Sequence, residues 1–310
     1  MKNHIRYYLH RCCLILSCLL FLFSNTFSQR IVPPNRIIDN CIYSAIYQFK
    51  HLQDTIKKQQ YYDKQVLEIG DSISHYYSIL GYVLDSLWYK FNISNKQTRP
   101  NKDGSDVGFN PVKALGLKDD ESIKYEDFYI NYPKKGVLEV MTNISFIDFI
   151  YEEPVPKFEW KLQADTATIL GYKCLKATTT FRGRNYEVWF TPFIPIRQGP
   201  WKFNGLPGLI LKATDTNGYF EWTATSIEKP KNKKIYAYLF DKIRMHRVTR
   251  KELINLLHKR WKDPFGLIFL INSNQQTIGY KDAKTGKLVL VNRGDVHNYQ
   301  RPYIPIPELE

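Results

Sequence analysis

Apolar side chains recur at every second position over much of the chain. Phe128, Ile130 and Tyr132 alternate with polar neighbours, Pro133 to Gly136 read as a turn, and Val137 to Ile144 return. Leu175, Ala177, Thr179 and Phe181 share one face of a later strand. Arg182-Gly183-Arg184 turns it, and Tyr186, Val188 and Phe190 share a face of the next. Phe220, Trp222 and Ala224 oppose Tyr219, Glu221, Thr223 and Thr225, a half-buried alternation. Asp215 to Gly218 precedes it as a hairpin turn, because an Asn-Gly pair accepts positive φ. Ile42 to Lys50 and Lys64 to Ile69 also read as extended. Phe265 to Asn272 and Lys287 to Asn292 give two more strands around a turn at Lys284-Thr285-Gly286.

Helical spacing is confined to two segments. Ser78 to Phe91 carries Leu80, Val83, Leu84, Leu87 and Phe91 on one side, against the weakening effect of Gly81. Thr249 followed by Glu252 makes a capping box. Leu253, Leu256, Leu257, Arg260 and Trp261 then line one side up to Asp263-Pro264. Residues 95–122 are polar, rich in Gly and Pro and without period, which predicts a mobile surface loop. No repeat of 20–50 residues is visible. Successive strands joined by short turns predict a mainly β (α+β) fold: one curved antiparallel sheet, half-barrel-like, with one or two packed helices.

The first residues read as a Sec signal peptide. Lys2, Arg6 and Arg11 precede an apolar stretch from Cys12 to Phe23, and Thr26 and Ser28 are small residues placed for cleavage before Gln29. The stretch is shorter than the roughly 20 apolar residues of a membrane-spanning helix. Bulky Leu16 before Cys18, and the apolar run continuing beyond it, argue against lipidation. Residues 1–28 are thus expected to leave, and 29–310 to form a single β-rich domain in the periplasm, at the outer membrane or outside the cell. The formal charge of +14 would favour nucleic acid in a cytosolic protein. Export turns that basic surface toward solubility or an anionic envelope, and no nucleic-acid partner is expected. Two cysteines, Cys41 and Cys174, remain beyond Ser28. In an oxidising compartment they form a disulfide or stay as two separate buried thiols.

Searches for chemistry return little. His51, His75, His246, His258 and His297 fall in no zinc-ligand spacing, so no metal is expected. No Gly-x-Ser-x-Gly elbow occurs. Asp119-Asp120-Glu121, Glu152-Glu153 and Glu308/Glu310 read as solvated charge, and no cofactor motif is present. Gly205, Leu206, Pro207, Gly208, Leu209 and Ile210 follow Gly199-Pro200-Trp201-Lys202-Phe203-Asn204. Their Gly and Pro content predicts an irregular corner feeding a strand, with Gly208 expected at a φ that favours glycine. Pro207 removes an amide donor, so the segment is no phosphate loop.

That hexapeptide resembles the signature of the GLPGLI family, secreted proteins of Bacteroidetes without an assigned activity. Gly171 to Ala177, Tyr186 to Pro192 and the Tyr303 to Glu310 tail extend the resemblance. The rhythm of the strands around it is similar to that of periplasmic lipoprotein-carrier half-barrels, which would make the concave face an apolar groove. The expected function is a non-catalytic envelope binding or carrier protein. It would hold a lipid or acyl ligand, or dock an outer-membrane transport protein, with Trp201 and Phe203 as the contact residues. The alternative is a secreted hydrolase whose site is assembled from distant residues. A His or carboxylate pair within hydrogen-bond reach would favour it.

Overall fold

The computed structural model describes residues 36–54, 58–84, 86–87, 126–144, 147–237, 245–262, 277–281 and 288–292. The predicted signal peptide, the 95–122 loop, the Phe265–Asn272 strand and the C-terminal tail lie outside the described residues. The chain is mainly β, as the alternation predicts. The strands are β1 (Arg36–Asp54), β2 (Gln59–Gly70), β3 (Ser74–Ser78), β4 (Glu126–Ile130), β5 (Val137–Ile144), β6 (Ile147–Pro154), β7 (Lys161–Ile169) and β8 (Tyr172–Phe181). They continue with β9 (Arg184–Thr191), β10 (Leu209–Asp215), β11 (Phe220–Glu228), β12 (Lys234–Ala237), β13 (His246–Arg247), β14 (Thr277–Lys281) and β15 (Leu288–Asn292).

Thirteen of them make one sheet in the order β13-β6-β5-β4-β3-β2-β1-β11-β10-β9-β8-β7, with β12 paired to β1 beside β11. All pairs are antiparallel except β13 with β6. β14 and β15 form a separate hairpin. β15 falls on the Lys287–Asn292 expectation, whereas β14, at Thr277–Lys281, was not anticipated. The 19-residue β1 is central: it pairs with β2 along one edge and with β11, then β12, along the other.

Register lines the apolar alternation into rows. Ala45, Leu67, Tyr76, Phe128, Val140 and Tyr151 are successive cross-strand partners, and all are buried. Ala177, Val188, Ala213, Trp222 and Phe49 form a second row on the same face. Such pairs are what stabilises a sheet, each contributing about 0.2–1 kcal/mol beyond an Ala pair. The turns have the chemistry their geometry demands. Arg182 (φ 46°) and Gly183 (φ 79°) join β8 to β9, and Leu170 (φ 51°) and Gly171 (φ 79°) join β7 to β8. Two central residues at positive φ match the right-handed twist of the strands they connect. In the β10–β11 turn Gly218 takes positive φ, and Asp215 closes the loop by accepting from the Phe220 amide at 2.8 Å.

Residues 79–84 are helical, started by Ser78, whose hydroxyl accepts from the Gly81 amide at 3.0 Å. Ser78 itself ends β3 rather than lying inside the helix. The second helix, Arg250–Lys262, begins with the expected capping box. The Thr249 amide donates to Glu252 Oε2 at 2.7 Å, and the Glu252 amide to Thr249 Oγ1 at 3.2 Å. Leu253 is its buried contact with the core, flanked by Leu256 and Leu257.

Candidate functional site

The crossover from β9 to β10 carries the Gly/Pro-rich segment, and it turns inward. Trp201 and Phe203 are 3% and 0% exposed, which corrects their assignment as ligand contacts. Trp201 stacks on Trp222 with ring centroids 5.9 Å apart, and Phe203 meets Trp222 and Tyr186 edge-on at 5.6 and 5.0 Å. Leu206, Leu209 and Ile210 join the same core. A buried aromatic ring gains roughly 4–6 kcal/mol of transfer free energy before entropy is subtracted. An anchor of that size holds the corner where a solvent-facing lip would have lost it. The inner face expected to be a groove is filled here by the protein's own side chains.

The two motif glycines act differently. Gly205 takes φ +99°, open to glycine and strained for other residues. Gly208 does not take positive φ. A Cβ there would lie 2.2 Å from the carbonyl oxygen of Thr191, so its constraint is close approach of two backbones. The corner is tied down by Trp160 Nε1 donating to the Asn204 carbonyl at 2.8 Å and Arg197 Nη2 donating to the Gly205 carbonyl at 2.6 Å.

Among the described residues, three of the polar clusters in the sheet bear on a site, apart from the buried Arg184–Asp215 pair. The first belongs to the corner. Lys202 is 1% exposed, and its ammonium donates to Glu153 Oε1 at 2.7 Å and to the Tyr151 hydroxyl at 2.9 Å. Arg182 Nη2 reaches Glu153 Oε2 at 2.5 Å, and Arg250 Nε lies 4.0 Å from it. Glu153, expected in solvent with Glu152, is therefore a buried anchor in β6. Glu152 keeps the exposed position, because strand alternation sends neighbours to opposite faces.

The second cluster ends an apolar row. Asp63 is the β2 partner of Phe49, on the core face beside Gln65 and Tyr76. Burial pushes its carboxyl up to about 6, opposed by hydrogen bonds from Ser78, Gln65 and the Lys64 amide and assisted by the charge of Glu126. Gln65 Nε2 donates to Asp63 Oδ2 at 3.2 Å, and the Tyr76 hydroxyl donates to Gln65 Oε1. Burial also holds the Tyr76 hydroxyl well above its ordinary range. A carboxyl that trades its proton near neutral pH is suited to acid–base work.

The third cluster occupies the opposite face of β2–β4. His75 Nε2 bonds to Asp127 Oδ1, and its Nδ1 lies 3.5 Å from Glu68 Oε2. The imidazole is stacked between Tyr129 at 4.1 Å and Tyr77 at 4.5 Å. Glu68 accepts from the Tyr77 hydroxyl at 3.0 Å and meets the Lys233 ammonium at 3.4 Å. His75 and Glu68 are 2% exposed, whereas the Asp127 side chain is 25% exposed and gives the cluster its opening to solvent. Among the described residues no group of three or more His, Cys, Asp or Glu is placed to hold a metal ion. In this trio the carboxylates sit on opposite ring nitrogens and do not converge.

Cys41 and Cys174 are separate buried thiols on β1 and β8, bonded to the carbonyls of Tyr43 at 3.1 Å and Tyr172 at 3.4 Å. Burial raises both, Cys41 to about 11, with the Glu68 carboxylate adding to the effect. Neither thiol is poised as a nucleophile.

Residues 116–250 match the family model described as N-glycanase peptide, N-terminal domain. Among curated proteins none is similar enough in sequence to count as a relative. Two solved structures of PNGF-II are similar. The one in space group P21 has a TM-score of 0.41 and 18% identity, over 72% of this chain and 34% of that one. The one in space group C2 has a TM-score of 0.40 and 19% identity, over 80% and 36%. This chain spans about a third of their length, and likenesses of that size say nothing about function. The family match overturns two expectations. The segment holding Gly205–Ile210 matches an N-glycanase domain and not the GLPGLI family, so the hexapeptide is a corner device and a poor family label. The reading as a non-catalytic carrier falls with it. No described helix is long and apolar enough to cross a membrane.

Proposed function

We propose that the protein is an exported glycan-processing hydrolase that acts on N-linked glycans of peptides. The observation carrying this reading is the similarity of residues 116–250 to an N-glycanase N-terminal domain. The signal-like N-terminus, with its basic start and short apolar stretch, agrees with substrates met outside the cytoplasm. The His75–Asp127 pair supplies what the hydrolase alternative requires, a base and carboxylate within hydrogen-bond reach and joined from distant parts of the chain. In this reading Asp127, the member of the trio that reaches solvent, takes a proton from the attacking water and returns it to the leaving group. His75, with Asp127 at one ring nitrogen and Glu68 near the other, is a positioning residue that holds the Asp127 carboxylate in place.

The test is incubation of residues 29–310 with an N-glycosylated peptide and with the same peptide lacking its glycan, followed by mass spectrometry. Glycan release is expected, falling about 100-fold or more in His75→Gln and Asp127→Asn. Variants that retain full activity would remove Asp127 and His75 from the mechanism. A folded protein that releases nothing from any glycopeptide would overturn the hydrolase reading.

A further inference from the structure

We infer that the solvent face of β8–β10 is a carbohydrate subsite, with Trp189 as its stacking platform and Thr178, Thr180 and Asn185 as its hydrogen-bonding floor. The inference rests on the glycan-processing reading and names the surface that would hold the sugar.

Alternation gives this face its content. Tyr186, Val188 and Phe190 point into the core, so Asn185, Glu187 and Trp189 point away from it. On β8, Thr180, Thr178 and Lys176 are the registered partners of Asn185, Glu187 and Trp189. Together with Lys161 and Thr216, the first two rows line a hollow of about 180 Å³. Drug-sized ligands occupy pockets of roughly 300–1,000 Å³, so this hollow suits a group the size of one sugar ring. Its lining is hydroxyl and amide with one lysine and one glutamate, groups that pair with sugar hydroxyls. The Thr180 hydroxyl donates to Asn185 Oδ1 at 2.7 Å, which orients the Asn185 NH₂ as a donor, and Gln163 Nε2 donates to Thr178 Oγ1 at 3.3 Å.

The next row holds the half-buried indole of Trp189, with the Lys176 ammonium 5.9 Å from its ring centre and paired at 3.1 Å to Glu187. Trp201, Phe203 and Trp222 are enclosed in the core, whereas Phe193, just beyond the end of β9, is 69% exposed. On the solvent face of β9 Trp189 is the large ring, set among threonines, Lys176 and Glu187. A sugar ring stacked on it would extend into the hollow, about one residue pair further along the strands. An apolar ligand is disfavoured by the hydroxyl and charged lining, and nucleic acid by the Glu187 carboxylate in the floor.

The test uses residues 29–310 and two soluble probes, the disaccharide of N-acetylglucosamine and an oligosaccharide released from an N-glycoprotein. Saturable quenching of tryptophan emission is expected. Trp189→Ala should weaken binding at least tenfold, and Asn185→Ala and Thr178→Val each about threefold to tenfold, with unchanged melting temperatures. Equal binding by all variants would overturn the subsite while leaving glycan release intact. Cleavage without measurable binding at this face would do the same. A protein that neither binds these sugars nor releases glycan would lose both readings.

Discussion

Two buried carboxylates on the same side of the sheet show what burial does with and without a countercharge. Glu153, in β6, meets the ammonium of Lys202 and the guanidinium groups of Arg182 and Arg250. Asp63, in β2, is given only neutral donors, and its carboxyl rises to about 6. The first arrangement fastens the β9–β10 crossover to a strand 49 residues earlier in sequence. The second leaves a proton to be traded. A buried charge with its partners is a fastener, and one without them is a titrating group.

The largest expected effect breaks the fastener. Lys202→Met leaves Glu153 short of its most deeply buried cation, and losing one partner of a buried pair costs about 3–5 kcal/mol. Urea denaturation should show the loss, and Lys202→Met combined with Glu153→Leu should recover most of it. A single variant as stable as the parent would show that Arg182 and Arg250 suffice and that Lys202 fastens nothing.

Next comes the pH dependence contributed by Asp63. Its folded-state carboxyl is raised from 3.8 to about 6. Its contribution to stability is therefore fully present below pH 4 and is lost as pH rises through 6. At ~1.4 kcal/mol per pH unit, that loss is about 2–3 kcal/mol between pH 4 and 7. Asp63→Asn should flatten this part of the stability profile, and a profile identical to that of the parent would place the titration elsewhere.

The smallest effect sharpens the cause. Ser78 donates to Asp63 and so lowers its carboxyl. With a typical hydrogen bond contributing about 1 kcal/mol, Ser78→Ala should raise the Asp63 midpoint by under about one pH unit, as followed by side-chain NMR. A downward shift would contradict the assigned direction.

Much of the fold was legible because alternation is local. The Phe220/Trp222/Ala224 face, the Arg182-Gly183 turn and the Thr249–Glu252 box are where the pattern puts them. The charged clusters were not, for three different reasons. Glu153 continues the alternation of Phe149 and Tyr151, and that signal was masked by its neighbour Glu152. Lys202 sits in an irregular corner, where no period says which way a side chain points. Glu68, His75 and Asp127 meet only through the register of three strands, with a long segment between the second and third. The error at Trp201 and Phe203 has the same source as that at Lys202: a corner can fold inward, and large rings decide that it does.

The placement of β1 has a consequence for how the chain assembles. β2 follows β1 directly, so one edge of β1 is closed within a short hairpin. The other edge must wait for β11, as in the bond from the Thr225 hydroxyl to the Ile46 carbonyl across 179 residues. Loop closure over such distances is slow, and an open strand edge is a template for wrong partners in the meantime. During synthesis from the N-terminus, β7, β8 and β9 can complete their tight hairpins on their own, and β1 can then recruit a preformed meander instead of a single loose strand.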